Sequence, residues 1–139
     1  MFMLEEKISK EVALTPLPDL PIKGHVVGRQ SIGHLDPRTG LVLLDRLVER
    51  SAYGARKFGE IWRDRDNCVE LCEETTDAIV YGMQETARVH EGLTPVAPGS
   101  EEATHALDLL ANSVRYAALS DHFAQCARAE ITGIRIGRP

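Results

Sequence analysis

Proline and glycine are spread so unevenly along this chain that they decide most of what it can fold into. They crowd the first 35 residues, with Pro16, Pro18, Pro21, Gly24, Gly28 and Gly33. They return together at Gly92, Pro95, Pro98 and Gly99, and again at Gly133 and Gly137. Between these groups, apolar residues recur at helical spacing. Over 41–58, Leu41, Leu44, Leu47, Val48 and Ala55 fall mostly on one face, and Asp36-Pro37 is a suitable start, with Gly40 blurring the boundary. A second helix is expected over 67–91, with Asn67 as N-cap and Gly92 as stop, after a connection through Gly59 and the polar run 63–66. Ser100 caps a third helix reaching about residue 131, with Leu107, Leu110, Val114, Ala117 and Ala118 on its apolar side. Short connections between helices favour antiparallel neighbours. The expected fold is therefore all-α: an antiparallel bundle of about three main helices over 36–132. An extended or looped arm over 1–35, interrupted only around Val26 and Val27, would precede it, and a tail over 133–139 would follow. Small residues at Ala78 and Gly82 allow close helix approach, and the bundle is expected to be completed by oligomerisation, as a homodimer or larger.

Composition narrows the functional classes. The chain has 139 residues, enough for one domain, and 43% hydrophobic content suffices for one core or a core shared between subunits. A net charge of −5 lacks the positive field that draws polymeric nucleic acid. No apolar run approaches the roughly 20 residues of a membrane span, and the charged start does not read as a secretory signal. Cys68, Cys72 and Cys126 lack CxxC spacing and read as small core residues in a reducing compartment, so the expected location is cytoplasmic.

The segment 67–81 is the most informative. At about 100° per residue, Glu70, Glu74 and Asp77 fall within roughly 60° of one another, with Glu73 at the border of the stripe. Like charges one turn apart repel, and a divalent cation offsets that directly. Mg²⁺ suits such a stripe because it takes hard oxygen ligands while keeping waters and substrate phosphate oxygens. A plainer reading stands beside this one. Asn67 with Glu70 fits a capping box, acids near a helix start are favoured by its dipole, and Arg63, Arg65 and Arg88 could screen an ordinary solvated face.

The run YGARKFGEIWRDRDNCVELCEETTDAIVY, over 53–81, resembles short, often virus-encoded relatives of the MazG-like all-α nucleoside triphosphate pyrophosphatases. In that superfamily an ExxE pair and a later ExxD pair hold Mg²⁺ around a nucleoside triphosphate. Here Glu70 with Glu73 matches the first pair, and Glu74 with Asp77 has the form of the second. The family places the pairs on two helices, whereas here they overlap on one, so further ligands must come from elsewhere. Glu102, His105 and Asp108, at three-residue spacing near the start of the third helix, are the candidates.

The resemblance implies a hydrolase that cleaves between the α- and β-phosphates to give a nucleoside monophosphate and pyrophosphate. Glu70, Glu73, Glu74 and Asp77 would be the metal ligands, and Glu73 would orient the attacking water. Arg56, Lys57, Arg63 and Arg65 would meet the phosphates, and Trp62, Tyr81 or Phe58 would stack on the base, although Trp62 and Phe58 also suit a core or an interface. Other site types are not signalled. Gly24, Gly28 and Gly33 form neither a GxGxxG nor a Walker loop, and Ser31 between His25 and His34 lacks a GxSxG setting. The competing expectation is a non-catalytic helical binding or inhibitor protein that takes a protein partner or a small nucleotide.

Overall fold

Asp36 and Pro37 start the first long helix as the residue types dictate. The Asp36 carboxylate accepts from the backbone N–H groups of Arg38 at 3.1 Å and Thr39 at 3.4 Å, and from the Thr39 hydroxyl, while Pro37 occupies the first turn. The Thr39 hydroxyl, the largest influence, together with these N–H groups holds the Asp36 carboxyl below the usual range. The computed structural model describes residues 21–136. They contain four α-helices: α1 (Ile22–Ile32), α2 (Pro37–Phe58), α3 (Asn67–His90) and α4 (Glu101–Thr132), with a 3₁₀ turn at Ile61–Arg63. No strand occurs among the described residues, so the fold class is all-α. None of the helices is long and apolar enough to cross a membrane.

The chain divides into two compact units, Met1–Asp64 and Arg65–Pro139, so the division falls inside the stretch read from sequence as one helical domain. In the first unit the expected extended arm gives way to a helix at residue 22; residues 1–20 lie outside the described part. Gly24 and Gly28 each weaken a helix by about 1 kcal/mol against alanine, which is why the glycine spacing read as loop. Tertiary burial offsets that cost. Ile32, at the end of α1, is 2% exposed and packs with Leu44 of α2, which is 1% exposed, while Leu41, Leu43, Leu47 and Val48 flank the pair. Gly40 lets the two helices approach, since a Cβ there would sit 3.0 Å from Ile32 Cγ2.

In the second unit α3 and α4 form an antiparallel hairpin. Asp66 meets Arg128, Cys72 and Thr75 meet Asp121, and Gly82 lies under Val114, so numbers rise on one helix as they fall on the other. Buried Cys72, Thr75 and Val89 on α3 face Ala103 and Ala124 on α4. The N-cap of α3 is Asp66, one residue before the expected Asn67, and its carboxylate accepts from Cys68 N–H at 3.1 Å. Asn67 is thereby the first residue of the helix rather than its cap, and its Oδ1 accepts from Arg65 Nε at 2.9 Å. Ser100 caps α4 as expected, accepting from Ala103 N–H at 3.1 Å, and Gly133 ends it with a left-handed φ of 73°.

The hairpin is tied at its open end by Arg128, whose Nε donates to Asp66 Oδ2 at 2.6 Å while a second nitrogen donates to the Ile134 carbonyl at 3.3 Å. The Arg128 hydrogen bond is the first cause that holds the Asp66 carboxyl below its ordinary value. A carboxylate lowered in the folded state adds stability in full above its unfolded pKa of about 3.9 and loses it as pH falls through the folded value. Wild-type stability is therefore expected to drop below about pH 4 more steeply than that of Asp66→Asn, measured by urea unfolding along a pH series. Equal pH slopes for the two proteins would show that the pair contributes nothing.

Candidate functional site

The four carboxylates of the acidic stripe project from α3 on an arc centred opposite its buried Cys72 and Thr75, with Glu73 at the edge nearest Cys72. Glu73, Glu74 and Asp77 are exposed and Glu70 is half-buried. The hairpin separates them into two sets. Glu73 and Asp77 line an open depression of about 420 Å³, which Asp121 and Gln125 of α4 complete; Glu70 and Glu74 do not line it. Successive turns set Glu73 and Asp77 on one wall beside Val69, Cys72 and Thr76, and Ile136 also lines the depression.

Asp121 is the member that sequence reading missed. Its carboxylate accepts from the Thr75 hydroxyl at 3.3 Å and from the Gln125 amide, while its backbone carbonyl accepts from the Cys72 thiol at 3.7 Å. Burial pushes the Cys72 thiol up, with the Asp121 charge adding to it, so Cys72 is held as an inert thiol. The signal for Asp121 was available. It falls where the apolar stripe of α4 through Leu110, Val114 and Ala117 would continue, and a carboxylate on a packing face needs a partner. All three cysteines are free; Cys72 is buried and Cys68 half-buried as expected of core residues, whereas Cys126 is exposed because it lies on the far side of α4.

The ligands sought on the third helix are not brought to this place. In the antiparallel hairpin Glu102, His105 and Asp108 lie level with the end of α3, because Gly82 already meets Val114. At 1.5 Å per residue, Asp108 is about 15 Å along the axis from the level of Asp77. Among the described residues no group of three or more His, Cys, Asp or Glu side chains is placed to hold a metal ion. Two carboxylates on one wall still match the way Mg²⁺ binds when waters and substrate phosphates complete its shell.

The cationic and aromatic candidates divide between the units. Arg56, Lys57, Phe58, Trp62 and Arg63 belong to the first, and Arg65 and Tyr81 to the second. Lys57 Nζ donates to Tyr53 OH at 3.0 Å and lies over the Tyr53 and Phe58 rings. Arg63 pairs with Glu60 at 2.9 Å and stacks over Trp62 at 4.3 Å, leaving Trp62 half-buried, while Arg56 and Phe58 are exposed. Arg88 pairs with Glu85 at 2.8 Å. The arginines thought to screen the stripe thus spend their hydrogen bonds on Glu60, Asn67 and Glu85, and no salt bridge among the described residues involves Glu73 or Asp77. Tyr81, 69% exposed, stands one turn beyond Asp77 on the same outer stripe. No protein-family model, no curated protein and no solved structure matches this chain.

Proposed function

We propose that this protein is a Mg²⁺-dependent nucleoside triphosphate pyrophosphohydrolase, acting on an NTP or dNTP to release the monophosphate and pyrophosphate in cytoplasmic nucleotide-pool control. One observation carries the reading: two carboxylates one turn apart, Glu73 and Asp77, share the wall of an open depression with no salt bridge to a basic side chain among the described residues. Such a pair suits a hard divalent cation that brings its own phosphate oxygens, and the resemblance over 53–81 supports the same chemistry. When bound, Mg²⁺ neutralises phosphate charge and lowers the pKa of a coordinated water. Glu73 and Asp77 would hold the ion, Glu73 would orient the attacking water, and Tyr81 would offer an aromatic face to the base. Arg65, in the same unit, would meet the phosphates.

Pyrophosphate release from a panel of nucleoside and deoxynucleoside triphosphates, with and without Mg²⁺, tests the proposal. The expected result is Mg²⁺-dependent release that falls by at least about 100-fold in Glu73→Ala and in Asp77→Ala, with unchanged circular dichroism. Identical traces for wild type and both variants would dismiss it for those substrates. The second reading is a non-catalytic helical binding protein. It is favoured by large apolar side chains left exposed on α3, Tyr81 at 69% and Met83 at 62%, the latter in a groove beside Ala111 and Val114 of α4. A calorimetric Mg²⁺ titration that stays flat even with nucleotide present selects this second reading.

A further inference from the structure

Helix α4 carries a second stripe that its packing on α3 does not use. The face toward α3 runs through Ala103, Leu110, Val114, Asp121 and Ala124. About 150° further round, by helical geometry, Leu109, Asn112, Tyr116, Leu119, Phe123, Cys126 and Glu130 follow one another at alternating intervals of three and four. That is the 3.5-residue period of a coiled-coil seam. Every member is exposed, Leu109 at 56%, Tyr116 at 67%, Leu119 at 43% and Phe123 at 65%. A surface helix of a globular protein typically carries one apolar stripe; this one carries a second, largely apolar from Leu109 to Cys126.

We propose that the outer stripe of α4 docks antiparallel onto the same stripe of a second copy of this chain, making a twofold dimer with Leu119 of each copy opposite Phe123 of the other. Two features of the stripe select that occupant. In this register Tyr116 falls opposite Cys126, so the central layers are apolar on both sides and set larger against smaller side chains. Asn112 then falls opposite Glu130 at both ends, a donor facing an acceptor, and a twofold axis repeats each layer. A parallel pair would set Glu130 against Glu130, a like-charge contact. The surface is also large enough. The exposed parts of its apolar side chains amount to on the order of 500 Å² per copy and about 1,000 Å² for the pair, the lower limit for a specific interface. Arg115, Ser120 and His122 border the stripe as a polar rim. None of the residues assigned to nucleotide hydrolysis takes part, so the dimer stands or falls independently of that reading.

Sedimentation equilibrium of the full chain is expected to give twice the 15.4 kDa chain mass. Phe123→Glu, at a position already 65% exposed in the single chain, is expected to weaken the dimer at least about 100-fold while leaving the helical circular dichroism intact. Asn112→Lys reads the orientation, because it places an ammonium opposite Glu130 in the antiparallel pair but opposite its own copy in a parallel one. Tightening of about two- to fivefold supports the register, and weakening overturns it. A wild-type chain that stays monomeric up to about 1 mM, or a dimer that Phe123→Glu leaves unchanged, overturns the proposal altogether.

Discussion

Leu44→Ala is expected to destabilise the first unit by about 2–5 kcal/mol, the usual range for truncating a fully enclosed leucine. Leu44 is 1% exposed and Ile32, its neighbour across the α1–α2 pair, is 2% exposed; among the described residues of this unit they are the core. The substitution removes three carbons from the contact that holds α1 in place, and α1 carries Gly24 and Gly28, which make it a poor helix without tertiary support. The loss should therefore be seen twice, as a lower urea midpoint and as faster amide exchange along α1. Exchange in α3 and α4, in the other unit, serves as the internal reference. Unchanged protection of α1 would mean that Ile32 and Leu44 do not organise that helix.

Gly82→Ala sets two effects against each other at one atom. Alanine favours a helix interior by about 1 kcal/mol over glycine, so on propensity the change stabilises α3. The added Cβ, however, would lie 2.4 Å from Val114 Cγ2, far inside contact distance. Valine in a helix is held in one rotamer and cannot swing aside, so the helices must separate, at a cost of about 1–3 kcal/mol for overpacking. The expected net effect is destabilisation by up to about 2 kcal/mol. The second substitution decides the cause. With Val114→Ala in the background the clash is gone, and Gly82→Ala should become neutral or stabilising, a coupling that a double-mutant cycle measures directly. A Gly82→Ala protein as stable as wild type would show that the close approach at this point is not a constraint.

Much of the fold was legible because it rests on local chemistry. Asp36-Pro37, Ser100 and Gly133 each fulfil a stereochemical need at a helix end, and α2, α3 and α4 begin and end within a few residues of where those signals stand. The N-cap of α3 is Asp66 rather than Asn67; both residue types can cap, and in the fold Asp66 also meets Arg128 from 62 positions away while Asn67 accepts from Arg65. Helix α1 was not legible, since its two glycines are outweighed by a burial that no local signal records.

The candidate site divides along the same line. The sequence by itself determined that Glu70, Glu73, Glu74 and Asp77 crowd one side of a helix, because 3.6 residues per turn settles which side chains are neighbours along it. Only the tertiary structure decided that Glu73 and Asp77 share a wall with Asp121 while Glu70 and Glu74 do not, and that Glu102, His105 and Asp108 stand at the other end of the hairpin. Which helix faces which, and at what height, depends on how Gly82 seats under Val114, how Asp121 meets Thr75 and how Arg128 reaches Asp66. Those contacts join residues 32 to 62 positions apart, and no periodicity within one helix encodes them.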